Sequence, residues 1–215
     1  MRFLVTAGPT REFLDPVRFL SNPSTGKMGF AVARAARAAG HEVTLVAGPV
    51  ALRTPHGVRR IDVISACDML AAVEKERFDC FVATAAVADW RPARCASAKL
   101  KKRAMADTLR LVRNPDILKT VAAKARRSRA RKVFIGFAAE TGEPTAEAVR
   151  KCREKGLDLV VANDVTAAGS GFGTATNRVT FVLADGRIER LPLLTKTAVA
   201  RRIVRFAEER MDVVL

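Results

Sequence analysis

The feature that most constrains the fold is an apolar run that breaks into a small-residue loop and ends at the mouth of a helix. It lies within residues 5–29, VTAGPTREFLDPVRFLSNPSTGKMG, and the run just before them. Phe3-Leu4-Val5 is apolar at consecutive positions, the pattern of a first strand buried on both faces. Ala7-Gly8-Pro9 breaks it as a turn. Ser24-Thr25-Gly26 then precedes an alanine-rich helix expected over 30–39. A strand, a loop and a helix N-terminus bring free backbone N–H groups and the positive end of a helix dipole to one spot. That arrangement suits a phosphate, with Gly8, Ser24 and Gly26 around it and Lys27 adding a point charge. An ordinary crossover capped by Ser or Thr fits the same letters.

Two familiar phosphate loops are excluded. A Walker A loop needs Gly five residues before the Gly-Lys and Ser or Thr after it, where this chain has Ser21 and Met28. A dinucleotide fingerprint needs three spaced glycines at the first turn, and only Gly8 is there. The second expected strand, 42–47, ends in Leu45-Val46-Ala47 without the acidic residue that holds an adenosine ribose, which counts against a nicotinamide oxidoreductase.

Further strands are expected at 58–64 and 78–83, with Ser65 capping a helix through 76 between them. The repeated strand-helix-strand order predicts an α/β fold, a Rossmann-like, mostly parallel sheet with helices on both faces. Ligands in such sheets bind at the carboxyl ends of the strands. Near the end of the chain, 179–183 and 188–191 flank Asp185-Gly186 as an antiparallel hairpin. A closing helix over 196–210 turns Val199, Ile203 and Phe206 inward. A chain of 215 residues, 49% hydrophobic, is expected to form a single domain over 1–215. With no span-length apolar run and no leader-like start, no membrane and a cytoplasmic location are expected. The four cysteines have no C-x-x-C spacing and only His41 and His56 beside them, so they read as free thiols, Cys80 in the core and Cys152 exposed.

The net charge is +16, and residues 94–132 alone carry a local +12. This stretch fits a nucleic-acid patch or a channel for anionic substrates with a solvated helix face. No RNA-binding motif with stacking aromatics accompanies it and Tyr is absent, which favours the second reading and no nucleic acid. A non-catalytic, basic Rossmann-like protein that binds nucleotide or nucleic acid remains the alternative.

Several segments bring polar groups to the expected sheet edge. Ala85-Ala86-Val87-Ala88-Asp89 allows close approach by a flat ligand, and Asp89 can accept from an amino group or ribose hydroxyl, or serve as a cap. Residues 91–113 hold Lys99-Leu100-Lys101-Lys102 in a basic loop, with a strand pattern only over 108–113. Asn114-Pro115-Asp116-Ile117 reads as a helix start, the helix running to about 125. A buried strand over 132–138 contains Phe137. Lys151 and Lys155 share one helix face, awaiting an anion or simply facing water beside Glu147 and Glu154. Asn22 is a plain N-cap or more than that. Pro23 confines it to extended backbone, and Ser24 or Thr25 is available to cap, which leaves its amide NH₂ to donate to a ligand.

Thr10-Arg11-Glu12, Asp15-Pro16-Val17-Arg18, Ser21-Asn22, Gly26-Lys27-Met28-Gly29, Ala85 to Asp89, Lys99 to Lys102, Asn114 to Ile117 and Ala162-Asn163-Asp164-Val165 together resemble phosphopantothenoylcysteine synthetase, the ligase domain of bacterial coenzyme A synthesis. The resemblance runs from residue 6 to about 196, with Trp90 where Tyr is common and Pro9 where Gly is common. It implies an amide-forming ligase for 4′-phosphopantothenate and cysteine that uses CTP with Mg²⁺, through an acyl-cytidylate, as a homodimer. It implies catalytic roles for Asn22 and for Lys99, the latter in a flap over 91–113. It implies nucleotide contacts at Gly8, Ser24, Gly26, Ala85, Ala86, Asp89, Lys99, Asn114, Pro115, Asp116, Ile117, Phe137, Lys151 and Lys155, and assigns no residue to the metal. A decarboxylase often fused upstream is missing, so a free-standing synthetase or an isolated domain is expected.

Overall fold

The alternation of apolar strands with amphipathic helices carries into the structure, a computed structural model that describes residues 1–104, 107–127 and 131–212. Strand β1 (Arg2–Ala7) leads into a hairpin of β2 (Arg11–Phe13) and β3 (Phe19–Ser21), then α1 (Lys27–Ala38), β4 (Glu42–Ala47), β5 (Arg59–Asp62), α2 (Ala66–Lys75) and β6 (Cys80–Ala83). A ribbon of β7 (Trp90–Pro92) and β8 (Leu111–Arg113) follows, then α3 (Ile117–Ala125), β9 (Val133–Glu140), α4 (Thr145–Lys155) and β10 (Leu159–Asp164). The chain closes with β11 (Thr176–Asn177), β12 (Thr180–Leu183), β13 (Ile188–Arg190), β14 (Leu194–Thr195) and α5 (Lys196–Asp212).

The described residues build an eight-stranded sheet in the order β13-β12-β10-β9-β6-β1-β4-β5. The run from β10 to β5 is parallel, and β12 and β13 join antiparallel, as expected. The chain winds outward from β1 through β4 to β5, returns to pair β6 on the other side of β1, and continues through β9 to β10. That reversal between β1 and β6 is a topological switch point, where an open α/β sheet leaves a crevice at its carboxyl edge.

Period-two alternation divides the core between the two faces. Phe3, Val5, Val43 and Leu45 face α1 and α5, meeting Phe30, Val199 and Ile203. Leu4, Val46, Phe81 and Val160 face α2, α3 and α4, meeting Met69, Val121 and Cys152. Each fully buried apolar side chain of this kind contributes about 1.5–3 kcal/mol relative to exposure. Cys152 is therefore buried rather than exposed. Its neighbours in sequence are charged, but it sits on the inner stripe of α4, its Sγ donating to the Leu157 carbonyl at 3.2 Å. Ser65 caps α2 as expected, through a reciprocal box with Asp68.

Other local expectations are corrected. Helix α1 starts at Lys27, and its N-cap is Gly26 at φ 77° with no side-chain cap, so neither Ser24 nor Thr25 caps it. Asp116, not Asn114, caps α3 by accepting from the Lys119 N–H at 2.9 Å. The hairpin β2–β3 and the pair β11–β14 were not legible as strands because each offers only two or three ladder residues. Met105 and Ala106 of the expected flap, and residues 128–130 of the basic link, lie outside the described residues. Among the described residues no helix is long and apolar enough to cross a membrane.

A candidate nucleotide and phosphate cleft at the switch point

The carboxyl ends of β1 and β6 open into a cleft of about 450 Å³. Its floor depends on Gly29. A Cβ there would stand 2.4 Å from Thr84 Oγ1 and 2.5 Å from Ala7 Cβ, so only glycine lets α1 sit directly on the strand ends. The turn before it depends on Gly26, whose φ of 77° favours glycine, and Gly26 to Gly29, the start of α1, line the cleft.

The opposite wall is the segment after β6, and Gly8, Thr10, Asn22 and Asn114 hold it. The Ala86 N–H donates to the Gly8 carbonyl at 2.9 Å, and the Ala88 N–H to Thr10 Oγ1 at 3.0 Å. Asn22 Nδ2 donates to the Ala86 and Val87 carbonyls at 3.0 and 3.3 Å. Asn114 Nδ2 donates to the Ala88 carbonyl at 2.8 Å while its N–H donates to the Asp89 carbonyl at 2.8 Å. The NH₂ of Asn22 is thus spent on the wall, which corrects the expectation that it donates to a ligand. Its Oδ1 is the atom left for chemistry. Asp89, at the end of this wall, is exposed and its carboxylate makes no hydrogen bond or ion pair among the described residues.

The far end is basic. Lys155 Nζ pairs with Asp116 at 2.6 Å and Lys151 Nζ lies 3.8 Å from Glu140. Glu147 and Glu154 pair with Arg150 on the outer face, so Lys151 and Lys155 line the cleft rather than a solvated stripe. Burial pushes the Asp116 carboxyl up, but the Lys155 ammonium and the α3 amide outweigh it and hold it below the ordinary carboxylate range. Among the described residues, four lysines and two aspartates line the cleft: Lys27, Lys151, Lys155 and Lys196 against Asp89 and Asp116. The balance favours an anion.

Of the residues the resemblance singled out, Asn22, Ser24, Gly26, Ala85, Ala86, Asp89, Asn114, Pro115, Asp116, Ile117, Phe137, Lys151 and Lys155 converge on this cleft. Gly8 and Lys99 do not line it. Gly8 braces the loop from beneath, at φ 80°. Lys99 is exposed in the ribbon loop beyond β7. That loop is pinned next to it: the Leu100 N–H donates to Asp15 Oδ2 at 3.1 Å and Arg18 Nη2 donates to the Leu100 carbonyl at 2.5 Å. Asp15 is fully buried. Burial pushes its carboxyl up, yet the N–H groups of Val17, Arg18 and Leu100 and the Arg18 guanidinium prevail and lower it to about 2.

Thr84, Phe172, Asn177 and Lys196, to which sequence reasoning assigned no site role, also line the cleft, as does Asn163, which the sequence marked only as part of the resemblance. One signal was available for Lys196: it is the first residue of α5, where the helix dipole disfavours a cation.

The sequence matches the family described as DNA/pantothenate metabolism flavoprotein C-terminal domain over residues 1–211. The coenzyme A biosynthesis bifunctional protein CoaBC of Vibrio cholerae is 48% identical over 214 residues, covering 98% of this chain and 53% of that protein. The Bacillus subtilis protein of the same name is 46% identical over 204 residues, 94% of this chain and 49% of that one. The chain thus spans about half the length of these relatives. A crystal structure of the C-terminal domain of CoaBC superimposes with a TM-score of 0.81 at 42% identity, covering 98% of this chain and 95% of that one.

Proposed function

The chain belongs to the family of DNA/pantothenate metabolism flavoprotein C-terminal domains, and from that premise we propose that it joins 4′-phosphopantothenate to cysteine in coenzyme A biosynthesis, converting CTP to CMP and pyrophosphate. One observation carries the reading: segments at 22–29, 83–89, 114–118 and 137–155 meet at the switch-point cleft with a basic balance.

In the first step the pantothenate carboxylate attacks the α-phosphorus of CTP and pyrophosphate leaves, giving an acyl-cytidylate. In the second the cysteine amine attacks the acyl carbon, CMP leaves with the bonding electron pair, and the amine proton passes to solvent. Neither step needs a strong base; both need positioning and charge stabilisation. The α1 N-terminus, Ser24 and Lys27 face the phosphates from one side, Lys151 and Lys155 from the other. The free Asp89 carboxylate and the backbone of 85–88 suit an exocyclic amine on the base, which cytosine and adenine both carry; the choice of cytosine rests on the resemblance of 85–89 to the CTP-using family. Asn22 fixes the Ala86–Val87 wall and presents Oδ1, an acceptor for the attacking amine. Lys99, on the ribbon loop, would reach the reacting phosphate when that loop closes over the cleft.

Magnesium bound with the nucleotide would neutralise phosphate charge. Both Asp116 oxygens are engaged, one by the Lys119 N–H and one by Lys155, and no group of three or more potential metal ligands occurs among the described residues, so such an ion would be held chiefly by the nucleotide's phosphate oxygens and water. A homodimer forms part of the same reading.

The test is pyrophosphate release with CTP and with ATP, each with and without phosphopantothenate, followed by product formation on adding cysteine. CTP turnover dependent on phosphopantothenate is expected. Equal turnover with ATP would remove the cytosine assignment, and no release with either would remove the ligase reading.

A further inference from the structure

Lys196 is a lysine with 7% of its surface exposed, and it has no carboxylate within ion-pair distance among the described residues. Its Nζ donates to the Gly171 carbonyl at 2.9 Å. Lys27, on the first turn of α1, likewise lacks a carboxylate and donates to the Gly173 carbonyl. Both lysines line the cleft. Burial lowers the Lys196 pKa, and the nearby Lys27 charge lowers it further. Two ammonium groups close enough to oppose each other, one of them buried, are costly to hold together without a counter-charge. Backbone carbonyls are weak substitutes for one, carrying a partial charge where a phosphate oxygen carries a full one.

The carbonyls come from a glycine-rich segment, where Thr174 Oγ1 also donates to the Gly171 carbonyl at 3.2 Å and Thr176 Oγ1 to the Gly169 carbonyl at 2.6 Å. Gly169, Gly171 and Gly173 all have positive φ, and no side chain at those three positions resists a change of course. Phe172 between them is 39% exposed and lines the cleft. Asn177 anchors the segment at one end, its Oδ1 accepting from Ser170 Oγ at 2.6 Å and from the Gly171 N–H at 3.3 Å.

We propose that Lys27 and Lys196 form a phosphate subsite distinct from Lys151 and Lys155, taking a pyrophosphate or phosphate-ester anion, and that the anion displaces the Gly171 and Gly173 carbonyls and so releases the 169–173 loop. The identity of the anion rests on the ligase reading; the subsite and the loop exchange do not. The loop then acts as a latch: bound to the lysines it crosses this end of the cleft, and a phosphate on the lysines frees Phe172 to swing.

Calorimetric titration with inorganic pyrophosphate, CTP and phosphopantothenate tests it on the wild type, Lys27→Met and Lys196→Met, with melting temperature measured on each preparation. Either variant should weaken pyrophosphate binding about tenfold to a hundredfold, the worth of one charge-assisted hydrogen bond. Loss confined to pyrophosphate and CTP assigns the subsite to the nucleotide, and loss confined to phosphopantothenate assigns it to the ester; either outcome supports the subsite. Amide hydrogen exchange over 169–173 should quicken when wild-type protein is saturated with pyrophosphate, and unchanged exchange would overturn the latch. Unchanged affinity for all three ligands in Lys27→Met, an exposed position that should fold whatever Lys196→Met does, would overturn the subsite. A wild type that binds pyrophosphate in this way yet makes no amide product would overturn the ligase reading and leave the subsite standing.

Discussion

Replacing Gly29 by alanine sets helix propensity against packing, and the structure decides the sign. In an isolated helix the change stabilises by about 1 kcal/mol. Here the new methyl would lie 2.4 Å from Thr84 Oγ1, 2.5 Å from Ala7 Cβ and 3.1 Å from the Thr6 carbonyl oxygen. None of the three can yield cheaply. The Thr84 hydroxyl donates to the Thr6 carbonyl at 2.6 Å, Ala7 has no rotamer to change, and β1 is fixed by strands on both sides. Relief requires α1 to lift by on the order of 1 Å, the shortfall from an ordinary carbon–carbon contact. Overpacking costs about 1–3 kcal/mol and loss of the Thr84 hydrogen bond about 0.5–1.5 kcal/mol. Against a propensity gain of about 1 kcal/mol, the net is a destabilisation of about 2 kcal/mol. For a chain of this length that lowers Tm by about 4–8 °C. Urea unfolding of Gly29→Ala should show a lower midpoint with an unchanged slope, and pyrophosphate affinity should fall because the α1 N-terminus has moved. A variant as stable as wild type would refute the claim that α1 presses on the strand ends.

Three other outcomes are expected. Asn22→Ala removes the donor that holds the Ala86 and Val87 carbonyls, so KM for CTP should rise while kcat falls about a hundredfold or more; an unchanged KM would show that the wall does not depend on it. Lys99→Gln changes an exposed loop position, so stability should stay within about 0.5 kcal/mol while turnover is mostly lost; a collapse of Tm would make the lysine structural. Asp15, lowered to about 2 from an ordinary 3.8, contributes stability that is present above pH 4 and is lost as pH falls toward 2. Asp15→Asn should flatten the loss of urea resistance across that window and expose residues 95–100 to protease, and a pH profile parallel to wild type would refute the assignment.

The sequence by itself determined the layer architecture and the location of the cleft. Buried parallel strands such as 3–7 and 80–83 are apolar at consecutive positions and alternate with helical periods, and that order admits few sheets. Small residues after β1 and β6 then mark the edge where a ligand can approach backbone. Tertiary structure alone decided which groups remain free there. Asn22 was legible as special, but the direction of its amide depends on carbonyls 64 and 65 residues away. Lys151 and Lys155 read equally well as a wet stripe until β9 and α3 brought Glu140 and Asp116 against them. Lys196 looked like the first turn of a closing helix, and only the return of the chain past β11 and β14 buries it beside Lys27. The division has one physical reason. Periodicity records which face a residue turns inward, a local property of backbone geometry. The partner waiting on that face is set by strand order, which brings together residues whose separation along the chain carries no local signal.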